Sequence, residues 1–311
     1  MLDGIINIYK EKGYTSHDVV AKLRRITGQK KIGHTGTLDP DAEGVLPVCL
    51  GKATKLCEYI TDKDKEYIAR VKLGVTTDTL DMSGNILSES KFTGNLSDIE
   101  KACESFSGDI MQIPPMYSAI KVGGKKLYEL ARNNIEIDRK PRAVHIYDIK
   151  ASDYDSKMGE FTLYAHVSKG TYIRSLCDDI GKKLSCGACM KELVRTRTGT
   201  FDINDAMKLS DIEAIANCGI DTLKQYLTDV FCVFTMKKVI LKNQYDVRVQ
   251  NGNTISNDMF TEYDKEDKGL GVKPFISTGN DDISVFYSDG RFAAVYRPSD
   301  SDGCYKVLKM F

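Results

Sequence analysis

Residues 31–55, KIGHTGTLDPDAEGVLPVCLGKATK, constrain the fold more than any other stretch of the chain. Glycines at 36 and 44 allow backbone angles that side chains disfavour. Asp39-Pro40-Asp41 reads as a turn, and Pro40 pushes Asp39 toward an extended conformation. Asp39 is therefore expected at a loop apex, with its side chain aimed in one direction. Residues 45–50 read as a short apolar strand, and residues 51–55 as a turn that opens a helix. Turn chemistry alone leaves two readings of Asp39 open: a residue that only closes the turn, and a presented reactive group.

Periodicity places the rest. Residues 4–9 (GIINIY) read as an apolar strand. Thr15-Ser16 supplies an N-cap, followed by a helix with Val19, Val20, Leu23 and Ile26 on one face. From Lys65 the chain alternates, with Tyr67, Ala69, Val71 and Leu73 set against Ile68, Arg70 and Lys72. That is a strand with Tyr67 on its apolar side. Residues 161–167 alternate in the same way. Ser97-Asp-Ile-Glu100 reads as a capping box, ahead of a helix striped by Ile99, Ala102, Cys103 and Phe106. Thr171 reads as the cap of a helix that turns Ile173, Leu176, Cys177, Ile180 and Leu184 inward, and Ser210 as the cap of another. After about residue 235 the texture changes. Runs at 238–241, 285–287, 292–297 and 304–310, separated by Gly, Asn and Asp turns, predict a small all-β module.

A chain of 311 residues exceeds one average domain, and the expected division is 1–235 and 236–311. With 41% hydrophobic residues it can bury a substantial core. No apolar run approaches a membrane span, and no basic n-region precedes an apolar segment at the start, so neither membrane insertion nor secretion is expected. Nine cysteines, an odd count without framework spacing, are expected as reduced thiols in a cytoplasm. Cys186-Gly-Ala-Cys189 is a lone C-x-x-C with no second pair, and is read as buried and structural. Histidines 17, 34, 145 and 166 lack ligand spacing, so no metal is expected. Lys+Arg and Asp+Glu balance at 44 each, but unevenly along the chain. Residues 21–31 hold five basic groups and no acid; residues 120–142 hold seven basic and three acidic; residues 256–284 reverse this, with seven acidic and three basic. A locally basic surface on a neutral chain can bind phosphates, although for any one run alone a solvated helix face is the better reading.

In one run, G-H-T-G-T-L-D-P, A-x-G-x-L-P-V and G-x-A-T-K resemble the catalytic loop of the TruB family, the bacterial tRNA pseudouridine-55 synthases. Further matches continue to about residue 200: K-x-Y at 65–67, then residues 73–81, 112–132, 168–174 (SKGTYIR) and 191–197. The chain departs from the pattern at Lys10-Glu11-Lys12-Gly13, where the family shows K-P-x-G, and at Val194, which replaces the first Arg of L-R-R. The resemblance implies a pseudouridine synthase fold of the α+β class. Its central sheet is mixed, mainly antiparallel and flanked by helices, with an RNA-gripping insertion at about 110–142 and a PUA-like C-terminal module. It also implies that Asp39 is the nucleophile and Arg174 its ion-pair partner, with Tyr67 against the target uracil. Tyr172 and Leu193 would line the pocket, and His34 would lie beside the flipped nucleotide. Lys121, Lys125, Lys126 and Arg132 would contact RNA, and Tyr117 and Tyr128 among them suit stacking. The acids at 78 and 81 are read as structural.

Pseudouridine formation breaks the N1–C1′ bond, turns the uracil and makes a C5–C1′ bond. It needs no redox change, so no cofactor is expected, and the chain carries no phosphate-cradling or dinucleotide motif. Asp39 can serve as a carboxylate nucleophile. Arg174 is expected to keep it ionised and to grip it through two parallel bonds. Extruding a stacked base costs on the order of a few kcal/mol. Stacking on Tyr67 returns about 1–3 kcal/mol, so phosphate contacts must tip the balance. The expected partner is the T-arm stem-loop of tRNA, met by a monomer with no obligate protein partner. Three other readings compete: a non-catalytic RNA-binding or tRNA-folding protein, a guide-dependent ribosomal RNA synthase of the same superfamily, and a glycosidic hydrolase pairing Asp39 with Asp41. Two carboxylates two residues apart in a proline turn are poorly placed to face each other across a sugar.

Overall fold

The computed structural model describes residues 1–133, 135–228, 236–263, 281–301 and 303–311; most of the acidic run at 256–284 lies outside them. The chain forms two compact units, residues 7–48 with 56–223, and residues 1–6 and 49–55 with 224–311.

The first strand, β1 (Gly4–Lys10), is apolar and almost wholly buried. Thr15 caps α1 (Ser16–Thr27) in a reciprocal box with Asp18, and Gly28 at φ 66° ends the helix. Strands β2 (Ile32–His34) and β3 (Glu43–Leu50) flank the constrained loop. A 3-10 turn and α2 (Cys57–Thr61) follow, then β4 (Lys65–Leu73). β5 (Val75–Thr77) and β6 (Ile86–Glu89) form a ribbon of their own. After α3 (Leu96–Glu104) and β7 (Gly108–Gln112), the insertion makes a small hairpin of β8 (Lys121–Val122) and β9 (Lys125–Lys126), continued by α4 (Leu127–Arg132). Long strands β10 (Arg142–Asp155) and β11 (Glu160–Val167) lead to α5 (Ile173–Lys183). β12 (Ala188–Thr198), β13 (Phe201–Asp202) and α6 (Leu209–Asn217) complete this part of the chain.

The main sheet runs β1-β3-β12-β4-β11-β10-β7, with β2 on β3 and β13 on β12. Pairings from β12 through β7 are antiparallel and β12–β3 is parallel, which makes the sheet mixed and mainly antiparallel, as expected. Alternation decides its faces. Tyr67, Ala69, Val71 and Leu73 join Phe161, Leu163, Ala165 and Val167 in one core, covered by Ile99 and Cys103 of α3 and by Ile173, Leu176, Cys177 and Ile180 of α5. Each such aliphatic or Phe side chain contributes about 1.5–3 kcal/mol on burial. The other side of β4 and β11 carries paired ions: Arg70 and Lys191 on Glu160, Arg197 on Glu66 and Asp64, and Lys150 on Asp148. The thiols of Cys103, Cys177, Cys186 and Cys189 are free and buried, and burial pushes them up, Cys103 to about 12 and Cys189 to about 11.

Three helix starts differ from the sequence expectation. The cap of α3 is Asn95, boxed with Asp98, two residues before Ser97. Lys208 stands at the start of α6 with no side-chain cap bond, and Ser210 is already helical. Tyr172, not Thr171, occupies the cap position of α5; the Thr171 hydroxyl donates to the Ser168 carbonyl instead.

The C-terminal β module contains β14 (Lys238–Leu241), α7 (Asp246–Gln250), β15 (Ile255–Ser256), β16 (Phe260–Glu262), β17 (Ile283–Phe286), β18 (Phe292–Pro298) and β19 (Cys304–Met310). These strands form one six-stranded sheet, β15-β19-β18-β17-β14-β16, around Val239, Phe260, Val285, Ala294 and Tyr296. Among the described residues, no helix is long and apolar enough to cross a membrane.

Candidate active site

The constrained loop is fastened at its base, which leaves its apex exposed. Thr35 donates twice to the Pro47 carbonyl, and the Leu38 amide donates to the Ser16 hydroxyl at 2.9 Å. The Ala42 amide closes the turn on the Asp39 carbonyl at 3.1 Å. From below, the Lys10 ammonium donates to the carbonyls of Tyr14 (2.6 Å), Pro40 (3.1 Å) and Glu11 (3.2 Å). Lys10 is fully buried, and burial pushes its amine down to about 8 against the pull of Glu43, Asp39 and Asp41. Gly44 anchors the far end: at φ 101°, a side-chain carbon there would lie 2.2 Å from the Arg195 carbonyl oxygen. Arg195 in turn donates to the carbonyls of Val45 and Gly36.

Asp39 is 41% exposed, whereas Arg174, on the first turn of α5, is 7% exposed. Their contact is a single one, Nη2 to Oδ2 at 3.1 Å, where two parallel bonds were expected. The reason is competition. Arg174 Nη2 also donates to the Tyr117 carbonyl at 2.8 Å, and Nη1 donates to the Thr79 carbonyl and faces Asp81 Oδ2 at 3.6 Å. One guanidinium thus ties the loop, the turn after β5 and the insertion together. Burial raises the Asp39 pKa, and Arg174 opposes that rise without cancelling it. Arg174 lowers the carboxyl's pKa, in the expected direction, but desolvation is the larger effect and nearby Asp81 adds to it. Asp81 itself is held by Thr79 and Ser83, and Asp78 by Asn85.

Tyr67 is 8% exposed, in the core on the central strand β4. Leu193 shares that core, as does Leu38, which precedes Asp39. The loop, Tyr67 and Leu193 therefore meet through one packed cluster. Tyr172 lies within electrostatic reach of Asp39 and Arg174, with the Ser118 hydroxyl beside its phenol, and burial raises its pKa. His34, at the end of β2, packs edge-on against His17 at 5.2 Å, and burial lowers its pKa. It is tied to the loop by the Gly36 amide, 3.4 Å from Nδ1, rather than by a bond to Asp39 itself.

Lys121, Lys125 and Arg132 are exposed on the hairpin and α4. Lys126 is half-buried beside Tyr128, donating to its hydroxyl at 3.3 Å, and the Arg132 guanidinium lies 5.4 Å from the same ring. The patch is connected to the pocket: the Tyr128 amide bonds the Ser118 carbonyl, next to Tyr117. Sequence reasoning missed that Lys10 bonds the Pro40 carbonyl and Gln112 the Tyr172 backbone, because those partners are backbone atoms 30 and 60 residues along the chain.

The description "TruB family pseudouridylate synthase (N terminal domain)" matches residues 24–173, and "tRNA pseudouridylate synthase B C-terminal domain" matches residues 174–232. The chain belongs to the TruB family. Among TruB relatives, a protein named tRNA pseudouridine synthase B from Lachnoclostridium phytofermentans is 46% identical over 317 residues, spanning 100% of both chains. A protein of the same name from Clostridioides difficile is 44% identical over 277 residues, 87% of this chain and 91% of its own. The Cbf5 fold seen in a Cbf5-Nop10-Gar1 complex superimposes with a TM-score of 0.73 at 25% identity, over 99% of this chain and 84% of that one. TruB membership and that likeness match the expected α+β pseudouridine synthase fold.

Proposed function

We propose that this chain isomerises uridine to pseudouridine in tRNA, at position 55 of the T-arm, with Asp39 as the nucleophile. The observation that carries the reading is a half-buried carboxylate at the apex of a loop braced from beneath, ion-paired with a buried guanidinium, the loop being packed onto the core that holds Tyr67 and Leu193. The target uridine leaves its stack and lies against Tyr67, with Tyr172 and Leu193 as walls and His34 beside the nucleotide. Asp39 attacks uracil C6 or ribose C1′ and the N1–C1′ bond breaks; the uracil turns, C5 bonds to C1′, and the bond to Asp39 breaks to return the free carboxylate. The C5 hydrogen leaves to solvent as a proton, and N1 takes one up, so no co-reactant is needed. A hydrolase pairing Asp39 with Asp41 would need both carboxylates facing one sugar; Asp41 lies exposed beyond Pro40, and the Arg174 ion pair goes to Asp39. Phosphate contacts come from Lys121, Lys125, Lys126 and Arg132. The chain acts as a monomer in the cytoplasm, without a protein partner.

Asp39→Asn keeps the shape and removes the nucleophile. Tritium release from tRNA labelled at uridine C5 should vanish in this variant while tRNA binding persists. Continued release at a measurable rate would remove Asp39 from the chemistry.

A further inference from the structure

We infer that Gln112 is a positioning residue for this reaction, fixing the backbone of Tyr172 and with it the first turn of α5; this rests on the isomerase reading above. Gln112 ends β7 and is 2% exposed. Its carboxamide makes two bonds to one residue. The Tyr172 amide donates to Oε1 at 2.8 Å, and Nε2 donates to the Tyr172 carbonyl at 3.1 Å, across 60 residues of sequence. Tyr172 holds the cap position of α5 in an extended conformation, with no side-chain cap bond. Helix starts need an acceptor for their free amides, usually a side chain of the cap residue itself. A distant glutamine takes over part of that task.

The clamp sits where it governs the site. Tyr172 lies within electrostatic reach of Asp39, and two residues on Arg174 forms an ion pair with Asp39 at 3.1 Å. A turn of the Tyr172 peptide would therefore displace phenol and guanidinium together. Two more bonds extend the seam, from the Ser175 hydroxyl to the Ile113 carbonyl at 3.0 Å and from Arg174 to the Tyr117 carbonyl at 2.8 Å. Together with the Gln112 clamp, these bonds connect the insertion that carries Lys121, Lys125 and Arg132 to the first turn of α5. The amide supplies donor and acceptor together whatever the pH. An ionised glutamate accepts without donating, and leucine does neither.

The test compares wild type, Gln112→Leu and Gln112→Glu by single-turnover tritium release and by tRNA affinity. Gln112→Leu should lose on the order of 100-fold in rate, as for a misplaced catalytic group. Its tRNA affinity should stay within about threefold, with Gln112→Glu intermediate in rate. A folded Gln112→Leu working at the wild-type rate overturns the inference. So does a loss of affinity that accounts for the whole loss of rate, since that would make Gln112 part of the RNA grip. Should Gln112→Leu fail to fold, Gln112→Glu decides by the same two criteria. Hydrogen exchange of the free protein over residues 170–176 reads the clamp without turnover: it should quicken in Gln112→Leu, and unchanged exchange overturns the inference. A wild-type protein that releases no tritium would sink the isomerase reading and leave this last comparison valid.

Discussion

Asp39 and Arg174 show how two opposed effects share one carboxylate. Burial favours the neutral acid and Arg174 favours the anion, and burial has the larger influence. A nucleophile must be ionised, so the acid limb of the pH–rate profile should lie above the ordinary carboxylate range. Arg174→Met removes the group that lowers the pKa, which then rises further, so fewer molecules are ionised at a given acidic pH. The acid limb of single-turnover tritium release should move to higher pH, with a lower plateau. A limb that stays in place would mean that Arg174 orients Asp39 without affecting its ionisation. The single contact in place of the expected fork follows from carbonyls at Thr79 and Tyr117 that claim the same guanidinium. No sequence pattern reveals that claim.

At the level of elements, the loop that carries Asp39 depends on a close approach of two strands. β3 runs parallel to β12 with Gly44 opposite Arg195, and there is no room for a methyl group between them. Gly44→Ala must part the strands or distort the loop, and should destabilise the protein by about 3 kcal/mol or more. Denaturant unfolding measures this, and a shift under about 1 kcal/mol would show that the strands yield easily. Much of this architecture was legible. Alternation in β4 and β11 assigned Tyr67, Leu163 and Val167 to the core, and the proline turn placed Asp39 at an apex. Helix starts were less legible. Ser97 and Ser210 satisfy the capping pattern, yet α3 begins earlier because Asn95 and Asp98 make the same reciprocal box. Lys10 and Gln112 were hidden for a different reason. They bond backbone atoms 30 and 60 residues away, and a peptide carbonyl looks the same at every position of a sequence.

Across the whole molecule, zero net charge leaves attraction to RNA to local surfaces. Replacing Lys121, Lys125 and Arg132 together with Ala should weaken tRNA binding. It should also flatten the plot of log affinity against log salt, by about 0.7–0.9 for each phosphate no longer neutralised. Filter binding across a salt series checks this, and an unchanged slope would place the RNA elsewhere. The ion-paired side of β4 and β11 behaves differently, because Arg70, Lys191, Arg197 and Lys150 are already matched with acids there. A polyanion that collides with that side finds little to hold and drifts away. On the proposed reading the hairpin and α4 are the adhesive side among the described residues, and the search through a crowd of cellular RNAs is a matter of tumbling as much as of travelling.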